Sequence, residues 1–328
     1  MKVSIALCTF NGADYIEAQL ESILAQTRRP DELVLYDDGS TDDTVERAGA
    51  VAAGGSLSPR VFRNSQRLGY VKNFERAISE ARGEVIFLCD QDDYWLPDRV
   101  EKMLGPFSKS EKVGLVYCDA VLTDEVLHPT GRTVFGARGG MALESARSAR
   151  QLVHGVDIGI CGCMMAFRAS LKPYVLPISP YWGHDHWIAF IAHAVFGVEV
   201  IDSPLVYYRR HRRNSGADPA LDGGAWKGWL RPASSPEAAT YAKETRRWED
   251  MVERLRQLRS LAATADFPKL DEFILESKLR LEFARGRECL KRLPRQARIW
   301  PGIQLLFKGD YHFYVHGLRS FCKDLLMD

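Results

Sequence analysis

The stretch Val85-Ile86-Phe87-Leu88-Cys89-Asp90-Gln91-Asp92-Asp93 joins five apolar residues directly to three carboxylates within four positions. An uninterrupted apolar run predicts a strand that is covered on both faces. Carboxylates this close together repel one another and favour a bound cation, and their oxygen atoms suit magnesium or manganese. A solvated acidic loop is the alternative interpretation, and the position at a strand end argues against it.

Strands and helices alternate along the chain before this stretch. Apolar runs at residues 3–8 and 33–36 predict strands, residues 60–63 are predicted to form a third, and amphipathic patterns between them predict helices. This β-α-β-α order predicts an α/β fold with a mostly parallel sheet and helices on both faces. Ligands bind such sheets beyond the carboxyl ends of the strands, so the loops that follow the strands form the candidate site.

The later part of the chain is more mixed. Patterns predict strands over residues 113–118, 162–167, 198–201 and 205–208, and a helix over 187–196. Residues 132–149 contain few large apolar side chains and are predicted to form a mobile loop over the site. A glycine-rich linker is predicted over residues 216–228, so we expect one domain over residues 1–215 and a helical region over 216–328.

Composition narrows the class of protein. The 328-residue chain is 46% hydrophobic and 27% charged, as in ordinary soluble globular proteins. Its net charge of +1 gives no sign of a nucleic-acid partner. No apolar window approaches the ~18–20 residues that cross a bilayer, so we expect a protein that is soluble or lies on a membrane surface. Cys8, Cys89 and Cys118 lie in apolar runs, which favours a reducing, cytoplasmic compartment.

Two polar clusters follow predicted strands. Thr9-Phe10-Asn11-Gly12 offers hydrogen-bonding groups for a base or ribose, although Asn-Gly is also a common turn. Asp37-Asp38-Gly39-Ser40 places two carboxylates beside a helix start, where they also complement the helix dipole. Ser40 is expected to cap that helix.

Two further clusters lie downstream. In Gly183-His184-Asp185-His186-Trp187 the aspartate is a candidate general base or simply a helix N-cap. The run Tyr207-Tyr208-Arg209-Arg210-His211-Arg212-Arg213-Asn214 suits a diphosphate and a metal ligand, and an exposed basic loop is the alternative. Cys161 and Cys163 with the two histidines contain zinc-ligand types, but Cys-Gly-Cys is tighter than the usual zinc spacing, which favours pocket-wall residues.

In this order, over residues 3–214, the clusters resemble family 2 of inverting glycosyltransferases, which share the GT-A fold. The resemblance implies a nucleoside diphosphate sugar donor and a divalent cation, and it makes residues 1–215 the catalytic domain. Asp90-Gln91-Asp92 matches the family's Asp-x-Asp motif, and His184 stands where the family usually has an acidic residue. The implied catalytic base is Asp185; the implied metal ligands are Asp92, Asp90 and His211; the implied donor-binding residues are Thr9, Phe10, Asn11, Asp38, Lys72, Asp90, Gln91, Arg209 and Arg210.

Within that family, three stretches are most similar to bacterial rhamnosyltransferases of surface polysaccharide synthesis. They are Gly69-Tyr70-Val71-Lys72-Asn73-Phe74, Phe87-Leu88-Cys89-Asp90-Gln91-Asp92-Asp93-Tyr94-Trp95 and Gly162-Cys163-Met164-Met165-Ala166-Phe167. This similarity implies transfer of L-rhamnose from dTDP-rhamnose to a glycan or lipid-linked glycan. A family 2 transferase that uses a UDP-hexose, or a non-catalytic nucleotide-sugar or carbohydrate-binding protein, is the alternative. A dinucleotide oxidoreductase is excluded because no Gly-x-Gly-x-x-Gly follows the first strand.

The C-terminal region shows helical patterns over residues 236–262 and 269–293. Trp248, Met251, Leu255 and Leu258 share one face, as do Leu275, Leu279 and Phe283, and both stripes predict core packing. Residues 285–298 carry six Lys or Arg against one Glu, and Ile299-Trp300 follows. Basic residues beside aromatic ones suit peripheral contact with an anionic membrane surface, and a homodimer interface is the competing use.

Overall fold

The computed structural model describes residues 1–53, 57, 59–137, 149–154, 161–214, 238–261, 267–307, 311 and 318–326. The chain divides into two compact units, residues 1–144 with 159–223 and residues 145–158 with 224–328. The predicted boundary at residue 215 and the predicted linker lie outside the described residues. Residues 145–158 belong to the second unit, although the predicted first domain includes them.

The first half of the N-terminal unit has the predicted alternation. Its elements are β1 (Val3–Thr9), α1 (Ile16–Leu24), β2 (Glu32–Asp37), α2 (Thr44–Ala53), β3 (Arg60–Arg63), α3 (Tyr70–Glu80) and β4 (Val85–Asp90). The four strands pair in the order β3-β2-β1-β4, and all three pairings are parallel. All seven residues of β1 are buried, as expected for a strand with neighbours on both sides and helices over the sheet.

The second half of this unit completes a mixed sheet. It contains β5 (Tyr94–Trp95), α4 (Arg99–Lys109), β6 (Val113–Thr123), β7 (Pro129–Thr133), α5 (Val134–Ala137), β8 (Met165–Arg168), α7 (Lys172–Val175), α8 (His184–Val195) and β9 (Gly197–Arg209). Strand β8 runs antiparallel between β4 and β6, β9 is parallel to β6, and β5 and β7 pair antiparallel at the margins. The α/β fold is therefore confirmed, and the sheet is parallel in its first half and mixed in its second.

Several local predictions need correction. Residues 162–167 are a 3-10 turn (Gly162–Met164) followed by β8. The two strands predicted over 198–208 are one strand, whose register with β6 shifts near Pro204, a residue that has no N–H to donate. In the predicted mobile loop, residues 132–133 end β7, and α5 buries Val134 and Phe135; residues 138–148 lie outside the described range.

Helix α2 also starts later than expected. It begins at Thr44, whose backbone N–H donates to Asp42 Oδ1, so Ser40 does not cap it. The Ser40 hydroxyl instead donates to Asp37 and accepts from the backbone N–H of Asn11. Ser40 therefore ties the loops after β1 and β2 together.

The C-terminal unit is helical. It consists of α6 (Ala149–His154), α9 (Ala238–Leu261), α10 (Leu270–Arg292), a 3-10 turn (Arg295–Arg298), α11 (Ile299–Phe307) and α12 (Leu318–Leu326). Ion pairs Arg259–Asp271 and Arg285–Glu249 show that α9 and α10 run antiparallel. Among the described residues, no helix is both long and apolar enough to span a bilayer.

The core of this unit matches one predicted stripe and not the other. The α9 stripe at Trp248, Met251, Leu255 and Leu258 is buried. On α10, Phe283 is buried, but Leu275 and Leu279 are 56% and 42% exposed, so the prediction that they pack in the core is wrong. The inner face of α10 includes polar residues such as Ser277 and Arg280, which a search for apolar periodicity passes over.

Candidate active site

The carboxyl ends of three parallel strands meet at one edge of the sheet. Thr9 pairs in register with Asp37, and Cys8 pairs with Asp90. The loops after β1, β2 and β4 therefore lie side by side, as the strand order requires. Strand β9 reaches the same edge because Tyr207 pairs antiparallel with Tyr94, just beyond the acidic loop.

The fold brings together Asp92 and His211, which lie 119 positions apart in the chain. Nε2 of His211 lies 2.9 Å from Oδ2 of Asp92, and the imidazole is almost fully buried. Tyr15 stacks on the His211 ring at 4.4 Å between centroids, and Asn214 accepts a hydrogen bond from the backbone N–H of His211 at 2.6 Å. The imidazole is thus fixed against the acidic loop.

Arg209 supports the same loop from β9. Its Nε donates to the backbone oxygen of Asp92 at 2.7 Å, and its Nη1 donates to the backbone oxygen of Glu125 at 2.8 Å. Arg210 follows the last residue of β9, and its guanidinium lies 5.7 Å from the centroid of the Tyr208 ring. The contacts of Arg209 reach the backbone of the acidic loop directly.

Gln91 joins the loops after β4 and β1. Its Oε1 accepts from the backbone N–H of Phe10 at 2.8 Å, and its Nε2 donates to the backbone oxygen of Phe10 at 3.0 Å. Gly12 leaves room for this amide, since a Cβ there would lie 2.2 Å from Gln91 Cδ. The predicted donor-binding residues Phe10 and Gln91 are therefore direct neighbours.

Side chains at the carboxyl ends of β1 and β2 and in the loops that follow form hydrogen bonds with one another. Thr9 Oγ1 donates to Asp37 Oδ1 at 2.8 Å, and Asn11 Oδ1 accepts from the backbone N–H of Thr41 at 2.8 Å. Asp38 is 3% exposed and accepts three hydrogen bonds of 2.8 Å, from Asn64 Nδ2 and from the backbone N–H groups of residues 68 and 69. Asp38 thus holds the segment before α3, and its contact with a base stays a prediction.

Two cations near these loops differ in position. Lys72 is paired with Glu75, with Nζ 2.9 Å from each carboxylate oxygen. The guanidinium of Arg67 instead lies 3.9 Å from the ring centroid of Phe10, a cation–π contact that no sequence motif indicated. Arg67 is therefore a site residue that the sequence analysis missed.

Asp185 lies in the first turn of α8, and the helix N-cap is Gly183, so the interpretation of Asp185 as the N-cap is wrong. Burial alone raises the pKa of this carboxyl. The nearby His186, which donates its backbone N–H at 2.8 Å and has Nδ1 at 3.0 Å from the same oxygen, outweighs burial and holds the pKa well below its usual range. The charge of Asp185 in turn raises the pKa of Asp90, so the two carboxylates share one electrostatic environment.

His184 lies beneath the site in a neutral form. It is 5% exposed and stacks on Phe74 at 3.9 Å between centroids. Neither ring nitrogen has a hydrogen-bond partner in the part of the chain that the structure describes, and burial lowers the pKa of His184 to about 4. A Cβ on Gly162 would lie 2.5 Å from its Nε2, so the glycine makes room for the imidazole.

The acidic loop itself is electrostatically strained. Burial, and after it the charge of Asp92, raise the pKa of Asp90 well above its usual range and that of Asp93 to about 7. Cys163 Sγ and one carboxylate oxygen from each of Asp90 and Asp93 lie within 4.8 Å of one another. Cys163 therefore belongs beside these carboxylates and, among the described residues, not in a zinc cluster with the histidines.

Several supporting residues carried no clear sequence signal. Tyr15 contacts both His211 and Arg209, and its hydroxyl donates to Glu125 Oε1 at 2.9 Å. These contacts of Tyr15 join residues 110 to 196 positions apart along the chain, so no local sequence pattern indicated them. In the sequence, Asn214 was marked only by its position at the end of the basic run, and its contact with His211 was not predicted.

Residues 4–174 match the model of the family described as Glycosyl transferase family 2. The chain belongs to glycosyl transferase family 2. The matched residues include the loops after β1, β2 and β4, whereas Asp185 and His211 lie beyond them.

The individual proteins that match the chain are distant relatives. The chain is 26% identical over 227 residues to the uncharacterized glycosyltransferase alr2836 of Nostoc sp., covering 66% of each protein. It is 34% identical over 133 residues to a chondroitin synthase of Pasteurella multocida, covering 40% of this chain and 13% of that one. The chain thus spans about two thirds or less of these relatives' lengths. The structure of S. aureus TarS residues 1–349 in complex with UDP-GlcNAc shares the fold, with a TM-score of 0.57, 17% identity, and coverage of 98% of this chain and 90% of that one.

Replacing His184 with glutamine is expected to remove an acid-sensitive part of the stability. The pKa of about 4 lies below the ordinary value of 6.5, so unfolding takes up a proton. The stabilisation is complete above about pH 6.5 and is lost as the pH falls towards 4. Between pH 7.5 and 5 the wild-type free energy of unfolding should drop by on the order of 2 kcal/mol more than that of His184→Gln, measured by urea unfolding.

His128→Gln is the matched control, because it removes an imidazole whose side chain is 80% exposed. This variant should keep the wild-type pH dependence. If the free energies of unfolding of wild type and His184→Gln changed equally with pH, the assignment of a neutral, buried His184 would be contradicted.

Proposed function

We propose that this chain is an inverting, divalent-cation-dependent glycosyltransferase. It transfers a sugar from a nucleoside diphosphate to a hydroxyl of a glycan or lipid-linked glycan. The observation that carries the proposal is the meeting of three features in one family 2 domain: the Asp92–His211 pair, the joined loops after β1 and β4, and the ionised Asp185. A non-catalytic binding protein has no need of a separate carboxylate held ionised beside the acidic loop.

The donor set fits a hard or borderline divalent cation. Asp92 and His211 offer an oxygen and a nitrogen ligand 2.9 Å apart, and Asp90 stands two residues away on the same loop. Burial, and after it the negative charge of the neighbouring carboxylates, raise the pKa of Asp90, and a bound cation would relieve that crowding of charge. Magnesium or manganese held by these residues would stabilise the negative charge of the departing diphosphate.

The side chains on the donor side have separate tasks. Arg209 positions the acidic loop through the backbone of Asp92 and adds positive charge beside it. The loops after β1 and β2 hold the nucleoside, with Thr9, Phe10, Asn11 and Asp38 as its proposed contacts. Arg67 is better placed than Lys72 to bind the nucleotide sugar, because the charge of Lys72 is already neutralised by Glu75.

Asp185 is the proposed base. Its carboxylate shares the electrostatic environment of Asp90, and it would accept the proton of the acceptor hydroxyl as that oxygen attacks the anomeric carbon. The nucleoside diphosphate leaves from the opposite side, and a single displacement inverts the configuration. The buried thiols of Cys8, Cys89 and Cys118 agree with a reducing, cytoplasmic location for this reaction.

The proposed donor is dTDP-L-rhamnose, on the strength of the three stretches that resemble rhamnosyltransferases. Two of them border the site: Lys72 and Phe74 lie in α3, which packs against His184, and Cys163 adjoins the acidic loop. A UDP-hexose is the second candidate, because TarS, which shares the fold, was solved in complex with UDP-GlcNAc.

Asp185→Asn should lower kcat by roughly 10²–10⁴-fold, because it removes the base and leaves the shape of the site. The affinity for the nucleotide sugar should stay within about threefold of wild type, since the substitution removes no proposed contact with the bound nucleotide sugar. The assay is release of nucleoside diphosphate from a labelled donor in the presence of acceptor. Asp202→Asn, which changes an exposed carboxylate on β9, is the control and should leave kcat unchanged. Near-normal turnover by Asp185→Asn would remove it from this role.

A panel of nucleotide sugars with manganese tests the donor. The largest rise in melting temperature should come from dTDP-rhamnose, because a ligand that binds only the folded state stabilises it more, at a given concentration, the lower its Kd. A larger rise with a UDP-hexose would transfer the assignment to that donor. No rise with any sugar nucleotide would contradict donor binding altogether.

A further inference from the structure

Helix α3 begins at Tyr70, and the segment before it is fixed by a buried carboxylate. The backbone N–H groups of Leu68 and Gly69 both donate to Asp38 at 2.8 Å. Gly69 has φ +84° and ψ 157°, a backbone conformation that is essentially restricted to glycine. Because Asp38 directly follows β2, these bonds hold Tyr70 close to the edge of the sheet where the loops after the parallel strands meet.

Tyr70 also contacts the helix that carries the proposed base. Its ring lies edge-on to the imidazole of His184, with 5.8 Å between centroids. Phe74, one turn further along α3, stacks on the same imidazole at 3.9 Å between centroids. Because His184 and Asp185 are consecutive residues in the first turn of α8, the Tyr70 ring lies beside the start of that helix.

The three rings differ in how much of their surface reaches solvent. Phe74 and His184 are 1% and 5% exposed, whereas Tyr70 is 54% exposed. Among the described residues of the N-terminal unit, no other tyrosine, phenylalanine or tryptophan is as exposed. Tyr70 therefore presents a fixed aromatic surface to solvent beside the turn that carries Asp185.

We propose that the Tyr70 ring binds the acceptor, by packing against the apolar C–H face of a sugar ring whose hydroxyl lies at Asp185. A tyrosine suits this task because it combines a broad apolar face with a hydroxyl that stays in water. This inference rests on the proposed function, in which the acceptor oxygen lies beside the base and the diphosphate lies at the cation. A glycan acceptor also extends into solvent, which is where the exposed part of Tyr70 lies.

The test is saturation-transfer NMR of the full chain with the methyl glycosides of rhamnose, glucose, galactose and N-acetylglucosamine, in the presence of Mg²⁺ and dTDP or UDP. Wild type should bind at least one of these glycosides. Tyr70→Ala should raise its Kd by about fivefold or more, because the aromatic packing is lost. Tyr70→Phe keeps the ring and should bind the glycoside within about twofold of wild type. Calorimetry should show unchanged affinity of both variants for dTDP and UDP.

Val61→Ala is the control, because it trims an apolar residue of the same unit that is 43% exposed on β3. It should bind glycosides as wild type does, and melting curves check that every variant is folded. Three results would overturn the proposal: no glycoside binding by wild type, unchanged binding by Tyr70→Ala, or equal losses in Tyr70→Ala and Tyr70→Phe. Weaker binding of dTDP or UDP by Tyr70→Ala would assign the ring to the nucleotide instead.

Failure of the proposed function gives a different result. Wild type that binds a glycoside but releases no nucleoside diphosphate from any donor in its presence would contradict glycosyl transfer. Tyr70 would then remain a sugar-binding residue, provided that Tyr70→Ala weakens the binding.

Discussion

The structure depends on one electrostatic constraint, the confinement of Asp90, Asp92 and Asp93 at the end of a buried strand. Burial and mutual repulsion raise the pKa of two of them. The positive charge of Arg99 opposes this repulsion. Its guanidinium is fully buried, lies 3.9 Å from the centroid of the Trp95 ring, and has no hydrogen-bond partner among the described residues. Arg209 donates to the backbone oxygen of Asp92, and His211 lies against the Asp92 carboxylate. Arg99 and Arg209 thus offset part of the negative charge of a loop that stays anionic enough to attract a cation.

The fold explains how distant residues meet this loop. The parallel pairing of β1 with β2 and β4 brings three loops to one edge, and the pairing of β5 with β9 brings the basic run to the same edge. Family membership rests on residues 4–174, which supply the first three loops. Asp185 and His211 lie outside that match, so their roles rest on contacts and charge in this chain.

Apolar runs and strand-end motifs were enough to predict the first half of the fold, because β1 and β4 are buried and mostly apolar up to Thr9 and Asp90, with Ser4 as the one polar residue inside β1. These signals did not predict β5, which is only two residues long, or β7, which is mostly exposed and polar. Periodicity also misassigned Leu275 and Leu279, since it identifies a helix face without showing what covers it. The sequence placed Asp92 and His211 in the site but could not reveal Tyr15, Arg67 or Arg99, whose contacts arise only after folding.

The central claim is that Asp92 and His211 hold a cation that binds the nucleoside diphosphate. Calorimetry of dTDP and UDP binding, with manganese or with chelator, tests it most directly in wild type and Asp92→Ala. Manganese should strengthen wild-type binding by roughly tenfold or more and should have little effect on the variant. Manganese dependence that survives in Asp92→Ala, or wild-type binding that is indifferent to chelator, would contradict it.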